Sequence, residues 1–140
     1  MYFKVLSRSN AKRISYKKMS SPCVIISITD PEEGLVSFAP NDKILAVLRL
    51  QFEDVIDDSL MSMKKTDAVK VVDFVNMWKD RVGCIVIHCE AGISRSAGVC
   101  SALMVWLNGN DMEIYKNQYY HPNRLCRSLI LEELIERGLV

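Results

Sequence analysis

A short polar stretch between two apolar runs carries the residues best suited to chemistry. Residues 88–98 read HCEAGISRSAG, with an apolar run at 84–87 before them and another at 99–107 after them. This pattern predicts a buried strand, a tight loop and then a helix. Such a loop directs several backbone N–H groups to one point at the positive end of a helix dipole. The stretch therefore predicts a site for a tetrahedral oxyanion.

The side chains within this stretch fit nucleophilic chemistry on a phosphate. A helix N-terminus favours the thiolate form of Cys89, which is the nucleophilic form. Arg95 follows six positions later, and its planar fork can hold two phosphate oxygens. Gly92 allows a tight turn. We expect Ser96 to hydrogen-bond the sulfur and assist its departure, and His88 to orient the loop through its ring nitrogens.

The rest of the chain supplies elements that could position this loop. Short β-branched or alternating runs predict strands, and apolar residues at helical spacing predict helices. The predicted strands cover residues 2–7, 23–28, 44–52 and 84–88, and the predicted helices cover residues 62–80, 94–107, 111–119 and 124–137. This order predicts an α/β fold with a central, mostly parallel (mixed) sheet of four to five strands and helices on both faces.

Composition limits the classes of protein and partner. The 140 residues suit a single domain, residues 1–140, and the net charge of +1 provides no general basic field. We therefore expect no nucleic-acid partner and no membrane partner. The five cysteines include no C-x-x-C pair, so neither a disulfide framework nor a zinc or other metal site is expected. No signal-peptide pattern or membrane-length apolar run occurs, which favours a cytoplasmic location.

The segment HCEAGISRS resembles the His-Cys-x5-Arg-Ser/Thr signature of the cysteine-dependent protein tyrosine phosphatases, and most closely that of the dual-specificity branch. The resemblance implies a phosphocysteine intermediate, no cofactor, and a phosphoprotein or phosphopeptide substrate. It implies hydrolysis of phosphotyrosine, with phosphoserine and phosphothreonine as further candidates. It also assigns catalytic roles to His88, Cys89, Arg95 and Ser96. The implied phosphate-binding loop consists of Glu90, Ala91, Gly92, Ile93, Ser94 and Arg95.

The resemblance further implies an aspartic acid that protonates the leaving oxygen, on a loop before the helix that precedes the signature strand. Asp54 fits best because it follows a predicted strand in an apolar-x-Asp pattern, 35 residues before Cys89. Asp57 and Asp58 remain candidates at the apex of the loop, although either could instead cap the next helix. Near the C-terminus, HPNRLCRSLILEEL resembles the Pro-Asn stretch of dual-specificity phosphatases. There Asn123 is expected to start a helix, and a contact with the catalytic loops is a further option.

Other functions stay open at this point. A non-catalytic phosphate- or phosphoprotein-binding module would keep the loop and Arg95 but lack a working acid. A phosphatase for a non-protein phosphate ester is the second alternative, although Glu90 opposes highly anionic substrates. Sulfur transfer by Cys89 is disfavoured by the adjacent Arg95 and Ser96.

Overall fold

The computed structural model describes residues 1–140, which form four strands and five helices. In chain order these elements are β1 (Tyr2–Leu6), α1 (Arg8–Ile14), β2 (Cys23–Thr29), β3 (Ile44–Gln51), α2 (Lys65–Trp78), β4 (Cys84–His88), α3 (Arg95–Asn108), α4 (Met112–Lys116) and α5 (Arg124–Glu136).

The four strands form one sheet in the order β1-β4-β2-β3. Every pairing is parallel, so the predicted sheet is confirmed and it contains no antiparallel strand. All seven residues of the central strand β2 are buried, as its continuous apolar sequence predicts for a parallel strand covered on both faces. Because the strands run in one direction, their carboxyl ends lie along a single edge of the sheet. The residue that follows β4 at this edge is Cys89.

Helices cover both faces of the sheet, as predicted. Alternate residues of β2 and β4, such as Ile26 and Ile87, pack in the main core together with residues of α2, α3 and α5. The intervening residues Ile25 and Val86 pack on the other face, against Ile14 at the end of α1. Two separate apolar cores therefore hold β4, and with it the start of the stretch at residues 88–98, in place.

Helix α1 was not predicted, and two other helices have different limits from those expected. Because α1 spans seven residues and buries only Ala11, its sequence carries little periodic signal. Helix α2 begins at Lys65 rather than near residue 62, and α4 ends at Lys116 rather than at residue 119. None of the five helices combines the length and the apolar character needed to cross a bilayer.

Candidate active site

The loop between β4 and α3 offers a row of unused backbone donors. The amide N–H groups of residues 90–94 donate to no acceptor within the protein. Ser94 stands at the N-cap of α3, yet its side chain does not cap the helix and donates instead to Asp54 Oδ1 at 2.8 Å. The N-terminus of α3 thus keeps free amides, which together with the helix dipole suit an anion.

The loop is held in shape by the connection between β1 and α1. Gly92 has a φ of 71°, and a Cβ atom there would lie 2.6 Å from the carbonyl carbon of Leu6 and from the nitrogen of Ser7. The Arg8 amide donates to the Glu90 carbonyl at 3.0 Å. Glycine is therefore required at position 92 for its conformation and for the close approach of the neighbouring chain.

Cys89 and Ser96 lie together at the base of the loop, as expected. Cys89 Sγ and Ser96 Oγ are 3.0 Å apart, and both residues are buried. Burial raises the pKa of the four other cysteines, that of Cys23 to about 11, and it suppresses their thiolate forms. The four thiols affected are those of Cys23, Cys84, Cys100 and Cys126. Cys89 is the cysteine placed beside free amides and a hydroxyl.

His88 is fully buried and uses both ring nitrogens. Its Nδ1 lies 3.0 Å from the Cys89 carbonyl oxygen, which can only accept a hydrogen bond, so Nδ1 carries the proton. Burial lowers the pKa of His88 and favours the neutral ring. Nε2 is therefore an acceptor, and the Ser27 hydroxyl donates to it at 2.6 Å. His88 thereby fixes the carbonyl of Cys89, a position from which it can orient the loop.

Arg95 is anchored through one of its terminal nitrogens. Nη1 donates to Asp30 Oδ1 and to the Phe52 carbonyl, both at 2.8 Å. Both hydrogen bonds of the guanidinium use Nη1, so Nε and Nη2 are available for two phosphate oxygens. Asp30 was not identified from the sequence as a site residue. The available signal was that an acidic residue directly follows a buried strand, at the carboxyl edge that parallel strands share.

Asp54 is brought to the phosphate loop. Its Oδ1 accepts hydrogen bonds from Ser94 Oγ and from Asn123 Nδ2, each at 2.8 Å. Residues 53–63, which we call the acid loop, are otherwise largely exposed. Of the three candidate acids, Asp54 is the one that contacts the loop carrying Cys89.

The other two candidates do not reach this loop. Asp58 forms an ion pair with Lys64 at 2.7 Å, and that hydrogen bond lowers the pKa of Asp58 below its ordinary value. A group held as a carboxylate in this way is poorly suited to donate a proton. Asp57 is exposed and makes no side-chain hydrogen bond.

Asn123 has both of the roles considered for it. Its Oδ1 caps α5 by accepting from the Cys126 amide at 3.0 Å, and its Nδ2 donates to Asp54 and to the Val55 carbonyl. Its own amide donates to the Ser94 carbonyl at 2.9 Å. A single buried residue thus ties the acid loop to the phosphate loop and to α5.

An acidic cleft of about 300 Å³ opens beside Asp54. It is lined by Asp30, Pro31, Glu32, Glu33, Glu53, Asp54, Val55 and Met61. Carboxylate oxygens of Asp30, Glu33 and Glu90 also lie within 4.8 Å of one another. Arg95 pairs with Asp30, and Arg8 lies about 4 Å from the other two carboxylates, so each of the three has a guanidinium group nearby. Glu32, Glu53 and Asp54 in the cleft form no ion pair, so the mouth of the site is acidic outside the phosphate loop.

Comparisons with known proteins agree with this geometry. The sequence profile of the family described as protein-tyrosine phosphatase matches residues 47–132, more than half of the chain. Mouse dual specificity protein phosphatase 1 is 44% identical over 39 residues, which cover 28% of this chain and 11% of that protein. The match thus spans only about a tenth of the length of this relative.

Two solved structures share the fold over nearly the whole chain. Human DUSP28 has a TM-score of 0.65 at 15% identity, covering 97% of this chain and 94% of that chain. DUSP15 has a TM-score of 0.65 at 20% identity, covering 98% and 89%. With the profile match across β3 to α5, the chain belongs to the protein-tyrosine phosphatase family, and its fold is that of the dual-specificity phosphatases.

Proposed function

We propose that residues 1–140 act as one catalytic domain that hydrolyses phosphotyrosine in phosphoproteins through a phosphocysteine intermediate. This proposal rests chiefly on the row of unbonded amides at residues 90–94, which is flanked in the chain by the thiol of Cys89 and by Arg95, whose guanidinium keeps two free nitrogens. Such a cradle would hold three equatorial phosphate oxygens while the sulfur faces the phosphorus. A module that only binds phosphate would need no nucleophilic sulfur at this position.

In the first step, Cys89 Sγ attacks phosphorus and the bond to the tyrosyl oxygen breaks. Protonated Asp54 gives its proton to that oxygen, which leaves as the phenol. The loop amides and Arg95 balance the charge on the equatorial oxygens. Because Nη1 is held by Asp30 and Phe52, the guanidinium needs little reorganisation when phosphate binds.

In the second step, a water molecule attacks the phosphocysteine. Asp54, now a carboxylate, takes a proton from the water as its oxygen bonds to phosphorus. The sulfur–phosphorus bond breaks, and the Ser96 hydroxyl at 3.0 Å donates a hydrogen bond to the departing thiolate. Inorganic phosphate leaves, and Cys89 is restored for another cycle.

The acidic mouth supports a protein substrate over a highly anionic one. Glu90 and the cleft carboxylates would repel ligands that carry several phosphates, such as phosphoinositides. The five free cysteines fit a reducing compartment such as the cytoplasm, where the catalytic thiol stays usable. Phosphoserine and phosphothreonine remain secondary substrates in this proposal.

The test is the Cys89→Ser variant, with Cys84→Ser, at the start of the strand that precedes Cys89, as the matched control. We expect Cys89→Ser to lower turnover of p-nitrophenyl phosphate by at least about 10³-fold, as loss of a covalent nucleophile does. It should still bind a phosphotyrosine peptide in calorimetry, and Cys84→Ser should keep normal turnover. Substantial turnover by Cys89→Ser would contradict the mechanism. A wild-type protein that binds the peptide without hydrolysing it would indicate a binding module.

Substrate class is tested separately with purified wild-type protein. Phosphotyrosine peptide, phosphoserine peptide and a phosphoinositide are compared by phosphate release. We expect the largest kcat/KM for the phosphotyrosine peptide and the smallest for the phosphoinositide. The reverse order would favour the non-protein phosphate ester.

A further inference from the structure

The charge of this chain is divided unevenly along its length. Residues 1–29 contain six Lys or Arg and no Asp or Glu, which gives a formal charge of +6. The remaining 111 residues contain 12 Lys or Arg and 17 Asp or Glu, which gives −5. The net charge of +1 conceals this division, and the expectation of no membrane partner rested on the net charge alone.

Five of the six cations carry no carboxylate partner. Arg8 lies near Glu33 and Glu90, whereas none of the others has a carboxylate oxygen within 4.0 Å. We call these five the basic end, and its members are Lys4, Lys12, Arg13, Lys17 and Lys18. All five are exposed. Their charges are therefore available to an external anion.

Three members of the basic end lie at the end of the sheet opposite the phosphate loop. Lys4, Lys17 and Lys18 line one cleft of about 400 Å³, together with Ser20 and Ser21. The first residues of β1, β2 and β4 line the same cleft, so it stands at the amino ends of these strands. The phosphate loop follows the carboxyl end of β4. Groups that can bind an anion are thus present at both ends of the sheet: free backbone amides at the carboxyl ends of the strands and lysine side chains at the amino ends.

Two exposed tyrosines accompany these cations. Tyr2 is 62% exposed and lines the cleft just described, and Tyr16 is 70% exposed and lines a neighbouring cleft with Lys17 and Lys18. Tyrosine rings are favoured at the headgroup level of a bilayer, where one end is apolar and the other is wet. Lysine stems also suit this boundary, because they lie along apolar surface while the ammonium group stays hydrated.

The length of the strands separates the three lysines of this cleft from the acidic mouth. A strand of seven residues such as β2 extends over roughly 23 Å, whereas the Debye length at physiological salt is about 8 Å. The carboxylates around Asp30 would thus be screened from an anionic surface placed against the basic end. Such a surface would leave the mouth of the catalytic site open and facing away.

We propose that the basic end docks on the surface of an anionic lipid bilayer, with the catalytic mouth turned towards proteins in solution. Four of the five cations are lysines, which act as hydrated point charges towards headgroups. Sequence-specific nucleic-acid contacts rely more on the arginine fork, and here Arg13 is the one arginine. The exposed tyrosines also favour lipid. The occupant is thus a membrane surface, recognised by charge and by interfacial aromatic rings.

The test is sedimentation of the full chain with vesicles of phosphatidylcholine alone or with 30% phosphatidylserine added. We expect binding only to the anionic vesicles, and loss of binding at high salt. The double variant Lys17→Gln/Lys18→Gln should weaken binding roughly 30-fold, about five-fold for each lysine. Lys70→Gln/Lys116→Gln removes the same charge from exposed sites on α2 and α4 and should leave binding unchanged. Turnover of p-nitrophenyl phosphate should be normal in both variants.

Three results would overturn the docking itself, and none of these three depends on the catalytic mechanism. The first is absence of wild-type binding to the anionic vesicles. The second is an equal loss of binding in the two double variants, which would indicate overall charge rather than a surface. The third is tighter binding to duplex DNA than to anionic vesicles at the same salt concentration. Saturating vesicles should also leave turnover of a soluble substrate intact, and inhibition would contradict the proposed orientation.

Discussion

The phosphate loop and the acid loop meet at one site, yet they are built in different ways. Residues 89–94 form a short connection between β4 and α3, pressed against the end of β1 at Gly92. The acid loop is longer and largely exposed, and Leu60 within it is 87% exposed. Its candidate acid is held by side chains from two other segments, Ser94 and Asn123. The phosphate loop is therefore fixed mainly by backbone contacts with neighbouring segments, and the acid by side-chain hydrogen bonds.

This difference separates two parts of the proposed reaction. Phosphate binding and thiolate attack would depend on the rigid loop, whereas proton transfer would depend on a contact that single substitutions can remove. Substrates whose leaving group needs no proton should therefore be insensitive to changes in the acid loop. Phenyl phosphate and p-nitrophenyl phosphate differ in this respect, since the oxygen of phenyl phosphate leaves poorly as phenolate unless it is protonated, whereas p-nitrophenolate leaves readily.

Asp54→Asn should produce the largest difference between the two substrates, because it removes the proton donor and leaves the phosphate loop intact. Asparagine can keep the contacts with Ser94 and Asn123 but has no proton to transfer. We expect kcat for phenyl phosphate to fall roughly 10²-fold or more, and that for p-nitrophenyl phosphate to fall much less. Asp57→Asn and Asp58→Asn serve as matched controls and should be normal with both substrates. If either control lowered kcat for phenyl phosphate much more than kcat for p-nitrophenyl phosphate, that residue would be the acid instead of Asp54.

The sequence predicts the phosphate loop more completely than it predicts the acid. Cys89, Arg95 and Ser96 lie within eight consecutive residues, so spacing alone predicts that they converge, and the structure brings Cys89 and Ser96 into contact. Asp54 was one of three candidates, because the length of a loop does not determine which of its residues turns inwards. The contact with Asn123 is what distinguishes it, and that partner lies 69 positions away.

Strand order explains the main omission. Asp30 reaches Arg95 only because β2 lies next to β4, and the local sequence does not predict which strands pair. The fold itself was predicted well, since buried parallel strands and amphipathic helices leave clear periodic patterns. Helix α1 was missed because it buries a single side chain. Long-range pairing and weakly amphipathic segments are thus the parts that required a structure.

Asn123→Ser should produce a smaller effect of the same kind. Serine caps a helix about as well as asparagine does, so α5 keeps its cap. Its shorter side chain cannot reach both Asp54 and the Val55 carbonyl, and the acid loop loses its buried anchor. We expect a loss of roughly 10-fold in kcat for phenyl phosphate, as one positioning hydrogen bond contributes, with p-nitrophenyl phosphate nearly unaffected. Equal losses with both substrates would show that Asn123 supports the phosphate loop rather than the acid.

Gly98→Ala tests whether the acid loop can be disturbed from within α3. A Cβ atom at position 98 would lie 2.4 Å from the Asn123 carbonyl oxygen, so the backbone that carries Asn123 must move. We expect a loss of about 1–3 kcal/mol in the free energy of unfolding, measured by urea denaturation, as for other overpacked sites. Gly83→Ala is the matched control, because no atom lies within 4 Å of its added methyl group.

The same substitution should lower kcat for phenyl phosphate a few-fold while leaving p-nitrophenyl phosphate turnover nearly normal, because the displaced Asn123 holds Asp54 and not Cys89. The stability loss alone does not predict this split between substrates, since partial unfolding reduces both rates equally. A uniform loss would mean that the shift spreads from Asn123 through its amide contact with Ser94 into the phosphate loop. A shift in the acid loop would then also move the phosphate loop, and the two loops would not contribute independently to the reaction.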